Sequence, residues 1–155
     1  MNDLDQIDKR LLETLQFDFP LEKKPWIKIG EVLNLGEDEI LKRLKRLSDR
    51  GIIRKIGPIL NGRSVGFKSS TLVALKVEKN RINKVAQIVN KFDNVTHNYL
   101  RDHEFNMWFT ITALDEKKLL KIIQEIQRRA GLKDDDILNL PTVRLFKINV
   151  CFDLK

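Results

Sequence analysis

Val95-Thr96-His97-Asn98-Tyr99-Leu100-Arg101-Asp102-His103-Glu104-Phe105-Asn106-Met107-Trp108-Phe109-Thr110-Ile111-Thr112 is the stretch on which the fold turns. Met107, Phe109 and Ile111 alternate with Asn106, Trp108 and Thr110, the two-residue period of a strand with one buried face. Upstream, His97, Tyr99 and Arg101 fall on one side of a second strand. The stretch therefore reads as a hairpin, with strands over Val95 to Arg101 and Asn106 to Thr112.

Working outward, Ile82, Val85, Ile88 and Val89 repeat at helical spacing before the hairpin, over Arg81 to about Asn90. Leu119, Leu120, Ile123 and Ile126 do so after it, over Glu116 to Arg129. An apolar run from Ser70 to Val77 and another from Val143 to Phe152 supply outer strands. The resulting order, βαββαβ, is the ferredoxin-like arrangement. Its four-stranded sheet has helices on one face, so the other face needs a cover, for which a dimer partner is the usual solution.

The first sixty residues read differently. Asp3 followed by Gln6 fits a capping box. Leu4, Ile7, Leu11, Leu12 and Leu15 then mark a buried helix face that stops at Pro20. Pro25 suits the first turn of a second helix, to about Leu33. Asn34-Leu35-Gly36 is a short turn. A third helix runs from about Glu37 to Arg50, buries Ile40, Leu41, Leu44 and Leu47, and ends at Gly51. This is a helix-turn-helix, with Ile52, Ile53, Ile56 and Ile59 suggesting a connecting strand. The expected fold class is α+β: a helix-turn-helix (winged-helix-like) domain over residues 1–60, then a ferredoxin-like domain over 61–155.

The third helix carries Lys42, Arg43, Lys45, Arg46 and Arg50, expected to be exposed and able to contact phosphates. Its start carries Glu37, Asp38 and Glu39, where base-reading residues would sit, and these acids repel a DNA backbone. The 155 residues have a net charge of +7 and 33% charged residues, which favours polyanionic partners without choosing among them. No apolar stretch is long enough to span a bilayer, and the acidic N-terminus does not look like a secretory leader, so a cytoplasmic protein with no membrane partner is expected. Cys151 is the single cysteine, which excludes an internal disulfide and a cysteine-based metal site.

Both histidines of the chain fall in the hairpin. A purely structural ribbon has no need of His97, Tyr99, Arg101, His103 and Asn106 together. Imidazole can ligate iron or move protons near neutral pH, guanidinium can clamp a carboxylate, and indole can lie on a flat ring. No P-loop, dinucleotide glycine fingerprint, His-Glu-x-x-His or Gly-x-Ser-x-Gly pattern is present.

The opening Leu4-Asp5-x-Ile7-Asp8, the basic third helix, Gly51-Ile52-Ile53-Arg54 and the βαββαβ order resemble the Lrp/AsnC family of regulators. Asp18-Phe19-Pro20-Leu21, Gly51 to Gly57, the hairpin string and Leu140-Pro141-x-x-Arg144-Leu145-Phe146-Lys147-Ile148 resemble siroheme decarboxylase subunits and their relatives in nitrite-reductase heme assembly. That resemblance implies removal of carboxyl groups from two acetate arms of siroheme, giving 12,18-didecarboxysiroheme on a route to heme. It also implies a homologous second subunit in a heterodimer or larger assembly. No cofactor is expected beyond the iron tetrapyrrole itself, with heme entering only as product or regulator. The alternative is an Lrp/AsnC-type transcriptional regulator or heme sensor that binds DNA; on the decarboxylase reading DNA is not expected as a partner.

A flat disc fringed with carboxylates calls for aromatic walls and a basic rim. Trp108, Phe105 and Phe67 are the candidate walls. Arg46, Arg50, Arg54, Lys55, Arg63, Arg101, Arg144 and Lys147 are the candidate rim, with Asn98 and Asn106 as further substrate contacts. His97 or His103 is the candidate proton donor, with Tyr99 as a second, and either histidine could be the axial ligand of the substrate iron. Arg101 would position a carboxylate.

Overall fold

The computed structural model describes residues 4–154 except 149. It divides into two compact units, each with its own core: one up to Ile59 together with the segment from Lys147, the other from Leu60 to Phe146.

In the first unit, α1 (Gln6–Phe17), α2 (Pro25–Leu33) and α3 (Glu37–Asp49) pack around Leu11, Leu12, Ile29, Leu33, Ile40, Leu44 and Leu47. Each fully buried aliphatic side chain contributes about 1.5–3 kcal/mol of transfer free energy. The N-terminal cap of α1 is Asp5, whose carboxylate accepts from the Asp8 N–H at 2.7 Å; the expected cap, Asp3, lies outside the described residues. The α2–α3 turn is tight. Asn34 takes a left-handed conformation, and a Cβ on Gly30 would lie 2.5 Å from the Leu35 carbonyl oxygen, so glycine is required there.

Two expected strands are absent among the described residues. Ile52 to Ile59 forms no strand; the Ile52 and Ile53 N–H groups both donate to the Leu47 carbonyl, closing the end of α3, and their side chains pack on the first core. Val143 to Phe152 also forms none. Its distal end is held elsewhere: the Phe152 N–H donates to Gln16 Oε1 at 2.8 Å and Gln16 Nε2 donates to the Phe152 carbonyl at 3.2 Å. An alternating apolar pattern marks an extended chain but does not name its partner.

The expected exposure of the bases on α3 also needs correction. Arg43 is largely buried and donates to Asp5 (2.7 Å), Asp8 (2.8 Å) and Glu39 (2.8 Å). Arg46 donates to both oxygens of Asp8 at 2.6 Å. Asp8 is fully buried, so α1 and α3 are joined by a carboxylate between two guanidinium groups. Lys45 pairs with Asp49 one turn on.

The second unit is a four-stranded antiparallel sheet in the order β2-β3-β1-β4, from β1 (Ser69–Leu75), β2 (Val95–Leu100), β3 (Met107–Ala113) and β4 (Ile137–Pro141). Helices α4 (Ile82–Val89) and α5 (Glu116–Ala130) lie on one face. They bury Val85, Val89, Leu119, Ile123 and Ile126 against Val73, Leu75, Met107, Phe109 and Ile111. The outer strand is thus Ile137–Pro141 rather than the expected downstream segment. Asp134–Asp136 form a 3-10 turn, the Asp136 carbonyl accepts from the Lys76 N–H at 2.8 Å, and the chain pairs with β1 at once. The opposite face exposes Leu72, Leu138 and Leu140. No helix among the described residues is long and apolar enough to cross a membrane.

Removing Asp8 takes one of its three carboxylates from the largely buried Arg43 and the one that Arg46 holds. Asp8→Ala is therefore expected to destabilise the first unit by about 3 kcal/mol, the lower end for a broken buried pair because Arg46 is half exposed. Urea unfolding followed by far-ultraviolet circular dichroism would register the loss; an unchanged midpoint would show that the pair contributes nothing.

Candidate functional site

The hairpin register places its side chains. His97 lies opposite Thr110, Asn98 opposite Phe109, Tyr99 opposite Trp108 and Leu100 opposite Met107. Because Phe109 and Met107 are buried beneath the helices, His97, Tyr99, Trp108 and Thr110 must occupy the helix-free face. The His97 and Tyr99 rings stack at 6.1 Å between centroids, and the Arg101 guanidinium lies 5.9 Å from the Tyr99 ring. The structure thus gathers the expected His97–Tyr99–Arg101 row beside Trp108. Tyr99 is 55% exposed in the isolated chain, so the row looks outward.

A β-bulge between Val95 and His97 sets Thr96 as well as His97 against Thr110. Thr96 Oγ1 lies 3.0 Å from His97 Nδ1 and 2.6 Å from Thr110 Oγ1, a short relay behind the imidazole. The two threonines were not among the expected site residues, since no alternation pattern announces a bulge.

The turn that joins the strands is well braced. The Arg101 N–H donates to the Asn106 carbonyl at 2.7 Å, and Trp108 Nε1 donates to the Phe105 carbonyl at 2.6 Å. Asn106 holds the end of β1 from both sides: its Nδ2 donates to the Val77 carbonyl at 2.8 Å, and its Oδ1 accepts from the Val77 N–H at 3.1 Å. His103 lies in this turn, its ring 6.4 Å from Phe105 and 6.5 Å from Trp108, and its Nδ1 accepts from the Phe105 N–H at 3.0 Å. A cleft of about 440 Å³ beside the turn is lined by Lys79, Ile82, Leu100, Arg101, Asp102, His103 and Asn106. Lys76 and Glu104 pair across the base of the turn, and the ammonium holds the Glu104 carboxyl below the ordinary glutamate value.

Other expected contacts are placed differently. Asn98 faces the helix side and donates to Asn90 Oδ1 at 2.9 Å, tying β2 to the end of α4. Asn106 has its amide committed to Val77. Arg63 lines a separate cleft of about 240 Å³ with Ser69, Ser70 and Asn139. Arg144 lies 4.9 Å from the Phe146 ring, and Phe67 is exposed. Arg46, Arg50, Arg54, Lys55 and Lys147 belong to the first unit. Of these, Arg46 is engaged by Asp8, while Arg54, Lys55 and Lys147 are exposed.

Residues 8–54 match the siroheme decarboxylase NirDL-like helix-turn-helix domain, and residues 64–147 match the AsnC-like ligand binding domain. The siroheme decarboxylase alpha subunit of Nitratidesulfovibrio vulgaris is 41% identical over 149 residues, spanning 96% of this chain and 82% of that protein. The chain belongs to the siroheme decarboxylase family. Within that family, the siroheme decarboxylase NirD subunit of Pseudomonas aeruginosa is 35% identical over 152 residues, spanning 98% of both chains. The crystal structure of siroheme decarboxylase NirDL superposes with a TM-score of 0.70 at 36% identity, covering 97% of this chain and 48% of that one. NirDL in co-complex with an iron-uroporphyrin III analogue superposes at 0.68 with 34% identity, covering 86% and 43%. A Neisseria meningitidis transcriptional regulator in complex with L-Met superposes at 0.81 with 21% identity, covering 97% of both chains; it shares the fold.

The Lys76–Glu104 pair predicts an acid response of the turn. Because the folded carboxyl titrates below its unfolded value, its support for the turn is present above pH ~4.5 and is lost as pH falls through the lowered value. The Trp108 indole N–H resonance is expected to shift over that acid range in the wild type and not in Glu104→Gln; identical titrations would refute the coupling.

Proposed function

We propose that this chain is a subunit of a siroheme decarboxylase, a carbon–carbon lyase that converts siroheme to 12,18-didecarboxysiroheme. The observation that carries this reading is the helix-free row of His97, Tyr99, Arg101 and Trp108 in a chain belonging to this family. In each step the bond between the acetate CH₂ and its carboxylate breaks. Carbon dioxide leaves, the electron pair passes into the conjugated macrocycle, and a proton reaches the carbon to give a methyl group. The substrate is its own electron sink, so the reading needs no further cofactor.

The protein's share is binding, orientation and a proton. Arg101 is exposed and ends the row, where a guanidinium can grip a carboxylate in two-point fashion. Trp108 and Tyr99 offer flat surfaces for a macrocycle. The DNA-binding alternative is weakened by α3, where Arg43 and Arg46 are spent on Asp8 and the first turn is acidic.

The row is open in the single chain, and carboxylate chemistry gains from a poorly solvated site. A homologous second subunit over the exposed Leu72, Leu138 and Leu140 face would provide that cover. Relatives named as alpha and NirD subunits, and NirDL chains of which this one spans 48%, support an assembly of related halves.

Anaerobic incubation of the chain with siroheme, alone and with its homologous partner, tests the reading by mass spectrometry of the pigment. Two successive losses of carbon dioxide are expected; an unchanged pigment in both arms refutes it. Among His97→Ala, Tyr99→Phe, Arg101→Ala and His103→Ala, loss of the proton donor is expected to slow turnover by about 100-fold or more. Full turnover and affinity in all four would remove the hairpin from the mechanism.

A further inference from the structure

β2 does not alternate cleanly from its start. Val95 lies opposite Ile111 and packs with it on the core beneath the helices. Strict alternation would then put Thr96 on the helix-free face and turn His97 inward. The bulge prevents this. It sets both Thr96 and His97 against Thr110, so the ring stays on the helix-free face with an extra hydroxyl beside it. The chain just before the bulge is pinned. The Thr112 N–H donates to the Asn94 carbonyl at 3.0 Å, and Asn94 Nδ2 donates to the Thr112 carbonyl at 2.8 Å.

The extra hydroxyl meets two partners. Thr96 Oγ1 lies 2.6 Å from Thr110 Oγ1 and 3.0 Å from His97 Nδ1. A hydroxyl has one proton to give and lone pairs with which to accept, so it can donate to one partner while accepting from the other. The contact therefore forms whichever ring nitrogen carries the proton, and it does not depend on the charge of the imidazole. Thr110 is itself steadied. It sits between the buried Phe109 and Ile111, and its branched side chain has few χ1 choices. Support thus runs from the core to Thr110, to Thr96 and to the ring. The Tyr99 ring stacks on His97, so the imidazole is held at its face as well as its edge. Among the described residues His97 Nε2 has no hydrogen-bond partner and is left open to a ligand.

We infer that Thr96 and Thr110 are positioning residues of the hairpin site: the bulge brings their hydroxyls together so that they fix the orientation of the His97 ring and leave its Nε2 edge to the macrocycle. This rests on the decarboxylase reading for the identity of the ligand; the holding of the ring does not. Neither threonine touches the substrate. Each acts through the imidazole, Thr110 by way of Thr96. A ring free to turn about its side-chain bonds would spend part of its time with the working nitrogen misplaced. Misplacement of that kind lowers the rate of the chemical step more than it weakens substrate binding.

Valine in place of threonine keeps the branched shape that suits a strand and removes only the hydroxyl, whereas serine keeps the hydroxyl. The chain has just two histidines, so long-range proton–nitrogen NMR of the full chain resolves both rings once His97→Gln has assigned them. In Thr96→Val and in Thr110→Val the His97 ring signals should move while those of His103 stay. Thr96→Ser should keep the His97 signals near their wild-type places. Unmoved His97 signals in Thr96→Val overturn the inference, and unmoved signals in Thr110→Val overturn Thr110's part in it. In the assembly that turns over siroheme, Thr96→Val should lower kcat roughly 3- to 10-fold, the worth of one hydrogen bond, with KM changed less than about twofold. Thr96→Ser should recover most of that loss. The double valine variant should be no slower than Thr96→Val alone, because Thr110 acts only through Thr96; additive losses overturn that order. A serine variant as slow as the valine one, or slow turnover with the His97 signals in place, overturns the positioning role. A wild type that binds siroheme but leaves its mass unchanged defeats the decarboxylase reading, and the ring signals alone then decide whether the hydroxyls hold His97.

Discussion

The pairing of β2 with β3 fixes most of what the second unit can do. Met107, Phe109 and Ile111 are drawn under α4 and α5 by the burial of their apolar surface, and a strand cannot turn alternate side chains the same way. Trp108 and Thr110 are therefore forced to the other face, and antiparallel register carries Tyr99 and His97 with them. The polar row is a consequence of core packing one residue away. A slip of one position would send the imidazole and phenol inward and expose Phe109, so the packing that stabilises the unit also guards the site.

That coupling explains why so much was legible beforehand. The two-residue alternation of Met107 to Ile111 and the helical repeats of Val85–Val89 and Leu119–Ile126 each report burial directly, and burial is what sequence period encodes. Choice of partner is encoded more weakly. Val143 to Phe152 alternates as well as a strand should, yet Ile137–Pro141 follows a 3-10 turn already bonded to Lys76 and takes the β1 edge first. Asn98 looked like a substrate contact because polar residues surround it, but its register places it under the helices with Asn90. Thr96 and Thr110 were invisible for the opposite reason: their importance comes from a bulge, which breaks the alternation on which the reading relies.

Charge tells a similar story in the first unit. A basic third helix suggests DNA when its residues are counted, but counting treats all charges as solvated. Arg43 and Arg46 instead converge on the buried Asp8, where each guanidinium offsets part of the desolvation of one carboxylate. The net positive charge is thus split between cations that hold helices together and others, such as Arg101, left exposed.

The chemistry proposed for the hairpin asks little of a scaffold. A macrocycle that can hold an electron pair needs no elaborate catalytic constellation, only a surface for the ring, a grip on carboxylates and a proton source. A half-open sheet with a well-braced turn can provide these, because the turn fixes its side chains through backbone contacts rather than through a large surrounding shell. His103 illustrates the economy. One peptide N–H, that of Phe105, donates to Nδ1 and fixes the ring's place in the turn. On β2 the Thr96 hydroxyl lies in the same way against Nδ1 of His97. Each imidazole is thus held at Nδ1 by a neighbour one or two residues along its own segment, so the ribbon positions both rings without a surrounding shell.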